Sequence, residues 1–330
     1  MKKFTTSFTR SNKIESFHEI KILVKNLNNK TLLSSNNDNE YIYPRSSIKI
    51  FQAIPFIKTR AFTKYRLSRK ILALACSSHR GEVFHIKELK DWIKKIGIVK
   101  DKLKCGIHKP LNIEASEALI KSKKMPSQLH NNCAGKHLAM ITSCIMNNHS
   151  LKNYLAFNHP HQVAIREVFE KFTNKKINKN NFGIDGCSAP QYSFKIIDIV
   201  KMLANLVKSY NGNFDYNHET KLLIESIITN PNFIGGSDSL DSKIMTISNK
   251  KIFCKGGAEG VFIFAELKKG IVGVIKVTDG NERAIPSVIY NLFKKYNLMN
   301  TLELKRFRKF YNFTITNHAN IKIGSIETKI

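Results

Sequence analysis

The sequence predicts an α+β protein in which an antiparallel sheet, built from both ends of the chain, flanks a largely helical middle. Residues 16–34 (SFHEIKILVKNLNNKTLLS) alternate apolar and polar side chains around an Asn-rich turn, which predicts a β-hairpin near the start. In the last third, KIFCKGG, GVFIFAEL and GIVGVIKV read as consecutive strands joined by short connections containing Gly and Lys. Between these two regions, apolar residues recur at the period of a helix.

The predicted helices can be placed by spacing and composition. Residues 68–76 (SRKILALAC) are rich in Ala and Leu, and HPHQVAIREVFEKF carries an apolar i, i+3, i+4, i+7 pattern that opens at Pro160. Residues 283–298 are also predicted to be helical, and NIKIGSIE near the end is predicted to be a strand. Because no internal repeat or long linker is evident, we predict a single domain over residues 1–330, with its helical portion roughly at 68–225. A second long helix is indicated by Ile196, Ile199, Val200, Leu203 and Val207.

Composition gives the chain a strong positive charge. Lys and Arg number 54 against 25 Asp and Glu, a formal net charge of +29, which invites a nucleic-acid partner. The excess is mostly Lys spread along the chain, whereas proteins that read phosphates and bases depend on Arg forks and interleaved aromatic residues. Only KRFRKFYNF, residues 305–313, forms a local basic and aromatic patch. We therefore predict no nucleic-acid partner, and keep a basic, non-catalytic RNA-associated protein as an alternative.

The cysteines and the N-terminal residues indicate where in the cell we expect the protein. The six cysteines stand singly along the chain, which is typical of reduced thiols in a cytoplasm. MKKFTTSFTRSNKIES has two early lysines but no apolar run after them, so it does not read as a secretory signal. No stretch is apolar for long enough to span a bilayer. We expect a cytoplasmic protein without a membrane partner.

The stretch SSIK places Ser46 three residues before Lys49, about one helical turn. A serine hydroxyl is a poor nucleophile unless a base takes its proton, and a desolvated neutral lysine can do so. Penicillin-binding proteins and serine β-lactamases use this S-x-x-K arrangement. Two later elements follow in a fitting order, Ser78 in CSSHRGE and Lys255 in KGG at a strand end. The alternative is that Ser46 caps a helix and the lysines face solvent.

HNNCAGKH, residues 130–137, concentrates a thiol, an amine, imidazoles and carboxamides. Its Gly-Lys pair does not belong to a phosphate-binding loop, because the glycine required five residues before Gly135 is His130. Cys133 and His137, together with Cys187, offer donors that suit zinc. However, no C-x-x-C or H-E-x-x-H motif is present, and free cysteines are often small buried hydrophobic residues. The residues alone leave both interpretations open.

Eight blocks of the sequence stand out in order: TRSNKIESFH, YPRSSIKIFQAIP, LACSSHRGE, CGIHKP, HNNCAGKH, GIDGCSAP, TNPNFIGG and CKGGAEGVF. In these blocks the chain resembles the L-asparaginase II family, the rhizobial-type enzymes, from about Phe8 to the final strand. Three positions differ from the usual family residues: Ala134 and Arg80 stand where Ser is common, and Gly256 where Thr is usual.

The resemblance implies a serine-β-lactamase-like fold and an amidohydrolase that converts L-asparagine to L-aspartate and ammonia through an acyl-enzyme. It implies two serine–lysine pairs, Ser46 with Lys49 and Ser78 with Lys255, and we favour Ser46 as the nucleophile. A glutaminase, or another amide or β-lactam hydrolase of the same fold, is the alternative activity. We expect the protein to be a homodimer.

The same resemblance assigns a metal site and substrate contacts. It matches Cys133, Lys136 and Cys187 to the zinc ligands of the family, with one ion per chain in a structural or substrate-orienting role. A small zwitterionic substrate also needs both of its charged groups held, and Arg45 is the candidate for a bidentate contact with the α-carboxylate. Further candidates for substrate contacts are Asp185 and Glu259, for the ammonium, together with His79 and His137.

Overall fold

The computed structural model describes residues 4–330, which fall into two compact units. Within the described residues, the first unit comprises 4–47, Phe194–Val207 and Lys243–Ile330, and the second comprises Ile48–Ser193 and Lys208–Ser242. Within residues 4–330, no helix is both long and apolar enough to cross a membrane.

The strands follow the sequence pattern closely. Twelve of them form within residues 4–330: β1 (Phe4–Arg10), β2 (Lys13–Asn26), β3 (Thr31–Ser34), β4 (Tyr41–Ile42), β5 (Phe182–Ile184), β6 (Pro190–Tyr192), β7 (Phe194–Lys195), β8 (Ile252–Gly257), β9 (Val261–Glu266), β10 (Ile271–Val277), β11 (Thr314–Thr316) and β12 (Lys322–Lys329).

Thirteen α-helices form over the same residues: α1 (Lys49–Lys58), α2 (Ala61–Lys64), α3 (Arg69–Ala75), α4 (Val83–Ile96), α5 (Ile113–Lys121), α6 (Ala134–Met146), α7 (Pro160–Thr173), α8 (Ile196–Tyr210), α9 (Asn217–Thr229), α10 (Asn232–Gly235), α11 (Leu240–Ile247), α12 (Ile285–Lys295) and α13 (Thr301–Phe310).

The main sheet lies in the first unit and joins both ends of the chain. Its strand order is β11-β12-β1-β2-β10-β9-β8, with β3 pairing β2, and all of these pairings are antiparallel. The register sets Thr5 of β1 opposite Lys329 of β12. All six residues of β9 are buried, and the ring of Phe264 lies 5.2 Å from that of Phe293 on α12. The predicted α+β architecture, with an antiparallel sheet built from both termini, is confirmed.

The second unit is helical and centres on α1, in which nine of ten residues are buried. α1 packs against α6 and α7, while α3 packs against α9. Aromatic side chains fill the space around α1: Phe51 lies 4.9 Å from Phe172, and Phe56 lies 5.5 Å from Trp92, between ring centroids. Burial of side chains of this size supplies most of the stabilisation of a helical core.

The local predictions agree with these elements. β2 and β3 form the hairpin predicted at residues 16–34, and β8, β9 and β10 are the predicted consecutive strands. The predicted helices correspond to α3, α7, α8 and α12. α7 begins with Pro160 at its first turn, and the His159 ring accepts a hydrogen bond from the backbone N–H of His161, as a helix N-cap does. The helical region begins earlier than predicted, at Lys49.

Candidate active site

Lys49 brings an amine to a serine hydroxyl inside the second unit. It is the first residue of α1, its side chain is 1% exposed, and its Nζ donates a hydrogen bond to the hydroxyl of Ser78 at 3.1 Å. The Lys49 amine also donates to the backbone carbonyl of Ser77. The buried start of α1 therefore holds this amine at the segment that follows α3.

The segment after α3 is shaped by hydrogen bonds at both of its serines. The Ser77 hydroxyl donates to the carbonyl of Leu74 at 2.8 Å, which closes the last turn of α3. The backbone N–H of Ser78 donates to the carbonyl of Ile234 at 2.8 Å. Ser77 is fully buried whereas Ser78 is half-buried, so the Ser78 hydroxyl is the accessible one of the pair.

His79 is fully buried and carries an unsatisfied ring nitrogen. Its Nδ1 accepts a hydrogen bond from the backbone N–H of Gly81 at 3.2 Å, which leaves the proton of the neutral ring on Nε2. Within residues 4–330, that Nε2 has no hydrogen-bond partner. Burial, together with the nearby charges of His85 and Lys49, holds the pKa of His79 well below its usual value. The ring is therefore neutral at physiological pH and offers one N–H to a ligand.

A second group of side chains, which we call the thiol–amine cluster, consists of Cys133, Lys136, Asp185 and Cys187. Cys133 is the N-cap of α6 and Lys136 lies in its first turn, while Asp185 and Cys187 lie in the turn between β5 and β6. Lys136 Nζ lies 3.0 Å from Cys187 Sγ and 3.8 Å from Asp185 Oδ2. All four side chains are less than a tenth exposed, so their charges interact strongly.

The protonation states in the thiol–amine cluster depend on one another. A hydrogen bond from Cys133 and the charge of Lys136 overcome burial and lower the pKa of Cys187 to about 5. The same hydrogen bond, with burial, raises the pKa of Cys133 to about 12. Burial acts to lower the pKa of Lys136, but Cys133, Cys187 and Asp185 outweigh it and raise that pKa. The Cys133 thiol and the Lys136 amine therefore both favour the thiolate form of Cys187.

The donor set of this cluster fits a zinc ion. The sulfurs of Cys133 and Cys187 lie close to the Lys136 amine, and zinc takes sulfur and nitrogen donors. The Lys136 amine is essential to such a site, because no group of three or more His, Cys, Asp or Glu side chains within residues 4–330 is arranged to hold a metal. An amine must lose its proton to bind a metal, and the positive charge of the ion favours that loss.

His137 borders the thiol–amine cluster and is held by a residue that the sequence did not single out. Its Nδ1 lies 2.6 Å from the hydroxyl of Tyr154, and that hydroxyl accepts a hydrogen bond from the backbone N–H of Lys104. The Tyr154 hydroxyl and the His137 ring therefore share one hydrogen bond, and the tautomer of the ring sets which of the two donates. Burial, followed by the charge of Lys136, lowers the pKa of His137 to about 3.

In the first unit, the end of β8 meets the turn that carries Ser46. A Cβ atom on Gly257 would lie 2.5 Å from the carbonyl oxygen of Pro44 and 3.3 Å from the Cβ of Arg45. Lys255 is two residues before Gly257 on the same strand, so both project from the same face of β8. Lys255 is 3% exposed, and its Nζ donates to the carbonyl of Gly256 at 3.0 Å.

The predicted site residues thus divide between the two units. Arg45, Ser46, Lys255 and Glu259 belong to the first, and Glu259 is exposed in the turn between β8 and β9. The second unit contains Lys49, Ser78 and the thiol–amine cluster, together with His79 and His137. The Lys49–Ser78 contact is a pairing that the sequence did not suggest. The pairs Ser46–Lys49 and Ser78–Lys255 stay predictions, as does the role of Asp185, which lies beside Lys136 and Cys187.

Glycines and Tyr154 are the contributors that motif analysis missed. A Cβ on Gly135 would lie 2.0 Å from the carbonyl oxygen of Leu74, so only glycine lets α6 approach α3 this closely. The only sequence signal for this position is the Gly-Lys pair in AGKH, which does not belong to a phosphate-binding loop. Tyr154 lies in LKNYLAF, which carries no motif.

A buried amine against a serine hydroxyl is an arrangement that enzymes with a serine nucleophile use. Residues 6–328 match the L-asparaginase II family. The chain therefore belongs to the L-asparaginase II family, a family of asparaginase-type amidohydrolases, which confirms the resemblance.

Comparison with other proteins adds little to this assignment. No curated protein sequence matches the chain. One solved structure, Mglu in its native form, is 12% identical with a TM-score of 0.38, and the match covers 86% of this chain and 65% of that one. Another, a candidate beta-lactamase from Bacteroides dorei, is 10% identical with a TM-score of 0.40 and coverages of 88% and 93%. TM-scores this low do not establish a shared fold. The serine-β-lactamase-like fold therefore stays a prediction. The cytoplasmic location and the homodimer also stay predictions.

Proposed function

We propose that this protein hydrolyses the side-chain amide of L-asparagine to give L-aspartate and ammonia. The family match over residues 6–328 supports an asparaginase-type activity. The observation that carries the chemistry is the contact between the Lys49 amine and the Ser78 hydroxyl at 3.1 Å, buried at the start of α1. An amine in this position can exchange a proton with a serine.

In the proposed mechanism, a serine oxygen attacks the carboxamide carbon of the substrate while a lysine amine takes the serine proton. The new C–O bond forms a tetrahedral oxyanion, and the C–N bond breaks as the lysine returns the proton to the departing ammonia. Water then cleaves the ester and releases aspartate, which regenerates the serine. We propose Ser46 as the nucleophile, because it lies three residues before Lys49 in the turn that leads into α1. Ser78 is its rival.

Substrate binding assigns roles to the remaining predicted residues. We propose that Arg45 binds the α-carboxylate, and that Glu259 or Asp185 binds the α-ammonium. His79 is proposed to donate its Nε2–H to the substrate, because this buried donor has no partner within residues 4–330 and the ring stays neutral. His137, whose ring is oriented by Tyr154, is proposed to line the same region.

We further propose that Cys133, Lys136 and Cys187 hold one zinc ion per chain. The two sulfurs and the amine lie close together, which supports this assignment. When bound, the ion would supply positive charge that fixes the β5–β6 turn against α6 and orients the substrate. The catalytic steps above depend on the serine and lysine residues.

The proposal is tested by measuring ammonia release from L-asparagine and from L-glutamine, each with and without a chelator. We expect turnover of L-asparagine by the wild-type protein and none by Ser46→Ala, whose folding is checked by circular dichroism. Full turnover by Ser46→Ala would remove that residue from the nucleophile role. Preferential turnover of L-glutamine would make the protein a glutaminase. Salt-dependent RNA retention without any ammonia release would favour the non-catalytic alternative.

A further inference from the structure

A groove on the second unit lies between α4 and α5, outside the candidate active site. Its volume is 940 Å³, within the range of small-molecule sites. α4 has two distinct faces: Leu89, Trp92 and Ile96 are buried in the helical core, whereas another face lines the groove. The groove face has the i, i+3, i+4, i+7 spacing of a single helix stripe. Its members are Val83, Ile86, Lys87 and Lys90.

α5 forms the other wall and buries none of its own residues. An amphipathic helix of a soluble protein normally buries its apolar face. Here a second stripe with the same spacing lines the groove, consisting of Ala115, Ala118, Leu119 and Ser122. Three of these four side chains are small, so α5 does not fill the space in front of α4. Met125, just after α5, also lines the groove and is 85% exposed.

The rim of the groove is basic. Four exposed lysines line it, namely Lys87, Lys90, Lys100 and Lys124, and no Asp or Glu does. Lys100 pairs with Asp101 at 3.5 Å, whereas the other three form no ion pair within residues 4–330. The groove therefore combines an apolar floor with ammonium groups that have no anionic partner there.

We propose that the groove binds a single-chain amphiphile with an anionic head group, of which a free fatty acid is the simplest. The carboxylate would be held by Lys87 and Lys90, through charge-assisted hydrogen bonds. The alkyl chain would lie over Ile86, Leu119 and Met125, removing their apolar surface from water. A second copy of this chain is a poorer occupant, because it would bring a second set of lysines against the first.

The test is calorimetric titration of the full-length protein with sodium dodecanoate below its micelle concentration. We expect one dodecanoate per chain and no binding of dodecyltrimethylammonium, which has the same chain length and the opposite charge. Lys87→Glu/Lys90→Glu should weaken dodecanoate binding by about tenfold or more, because two favourable charges become repulsive. The matched control, Lys121→Glu/Lys123→Glu, makes the same change in net charge at lysines that do not line the groove, and should alter affinity by less than about twofold.

Ala118→Trp tests the apolar floor separately, by filling the groove without changing its charge. We expect it to abolish dodecanoate binding while thermal unfolding shows a folded protein. Unchanged binding by Lys87→Glu/Lys90→Glu and Ala118→Trp would overturn the proposal, as would equal binding of the cationic amphiphile. A dimer in solution that Ala118→Trp converts to monomer would also overturn it, because a second copy would then cover the groove. Binding only to phosphatidylglycerol vesicles would point to a membrane surface instead.

Discussion

Gly135→Ala tests the close approach of α6 to α3. The contact between Lys49 and Ser78 and the thiol–amine cluster both depend on this approach. The added Cβ would lie 2.0 Å from the carbonyl oxygen of Leu74 and 2.6 Å from its carbonyl carbon. Ordinary contact begins at 3.4 Å, so the two helices would have to separate by the difference, about 1.4 Å. The obstructing atoms are backbone atoms, which cannot turn aside as a side-chain end can.

Two opposing effects set the size of the change. Alanine favours an isolated helix over glycine by about 1 kcal/mol. Overpacking a well-packed core typically costs about 1–3 kcal/mol, and a rigid backbone neighbour places this site at the upper end. We therefore expect Gly135→Ala to lower the free energy of unfolding by about 1–2 kcal/mol. Because Gly135 lies between Cys133 and Lys136, and Leu74 lies three residues before Ser77, ammonia release should also fall.

The assay is urea unfolding of the wild type, of Gly135→Ala and of a control variant, followed by ammonia release from L-asparagine. Gly186→Ala is the control, because a Cβ there would meet nothing within 4 Å. Its free energy of unfolding should stay within about 0.5 kcal/mol of the wild type. A Gly135→Ala protein at least as stable as the wild type would refute the reasoning, since helix propensity would then outweigh the contact with Leu74.

Three further predictions follow from the site and its surroundings. Lys49→Met should reduce kcat for asparagine hydrolysis by about 10²–10⁴-fold. The control Lys58→Met, at the exposed end of the same helix, should leave kcat unchanged. Equal kcat values for Lys49→Met and the wild type would exclude Lys49 from proton transfer. Cys187→Ala should lower the zinc content from about one ion per chain, as measured by atomic emission, and metal-free wild-type protein would end the zinc assignment. Burial, aided by the charges of His159 and His149, lowers the pKa of His161 to about 3 from 6.5, so the unfolded state takes up the proton first as the pH falls. The contribution of His161 to the free energy of unfolding is therefore complete above pH 6.5. It is lost as the pH falls toward 3, by up to about 1.4 kcal/mol per pH unit. His161→Gln should flatten the urea-unfolding profile over that range, and an unchanged profile would contradict the assignment.

The sheet could be predicted because its signals are local. Alternation along residues 16–34 and the apolar runs of β8, β9 and β10 carry the period and length of strands, and antiparallel pairing follows from their short connections. α1 gave no comparable signal. Its sequence, KIFQAIPFIK, is apolar on nearly every side and contains Pro55, because a helix at the centre of a core is buried all round and has no polar stripe to reveal its period.

The site could be predicted in part. The family motifs supplied the identities of the residues in the thiol–amine cluster, but Lys136 and Cys187 are 51 residues apart, and their 3.0 Å contact depends on how the β5–β6 turn meets α6. The contact between Lys49 and Ser78 similarly joins residues 29 apart through packing of α1 against α3. The three-residue spacing of Ser46 and Lys49 predicts a pair of near neighbours along the chain, whereas a contact between residues 29 apart leaves no such signal in the sequence.

Mass spectrometry of protein quenched during turnover of L-asparagine tests the central claim, a serine acyl-enzyme formed with lysine assistance. Peptide mapping should find an aspartyl ester on the peptide that contains Ser46, and no such adduct on protein carrying Lys49→Met. Hydroxylamine cleaves such an ester and so reports its presence. The account would be contradicted if ammonia were released rapidly under single-turnover conditions while the peptides containing Ser46 and Ser78 carried no ester.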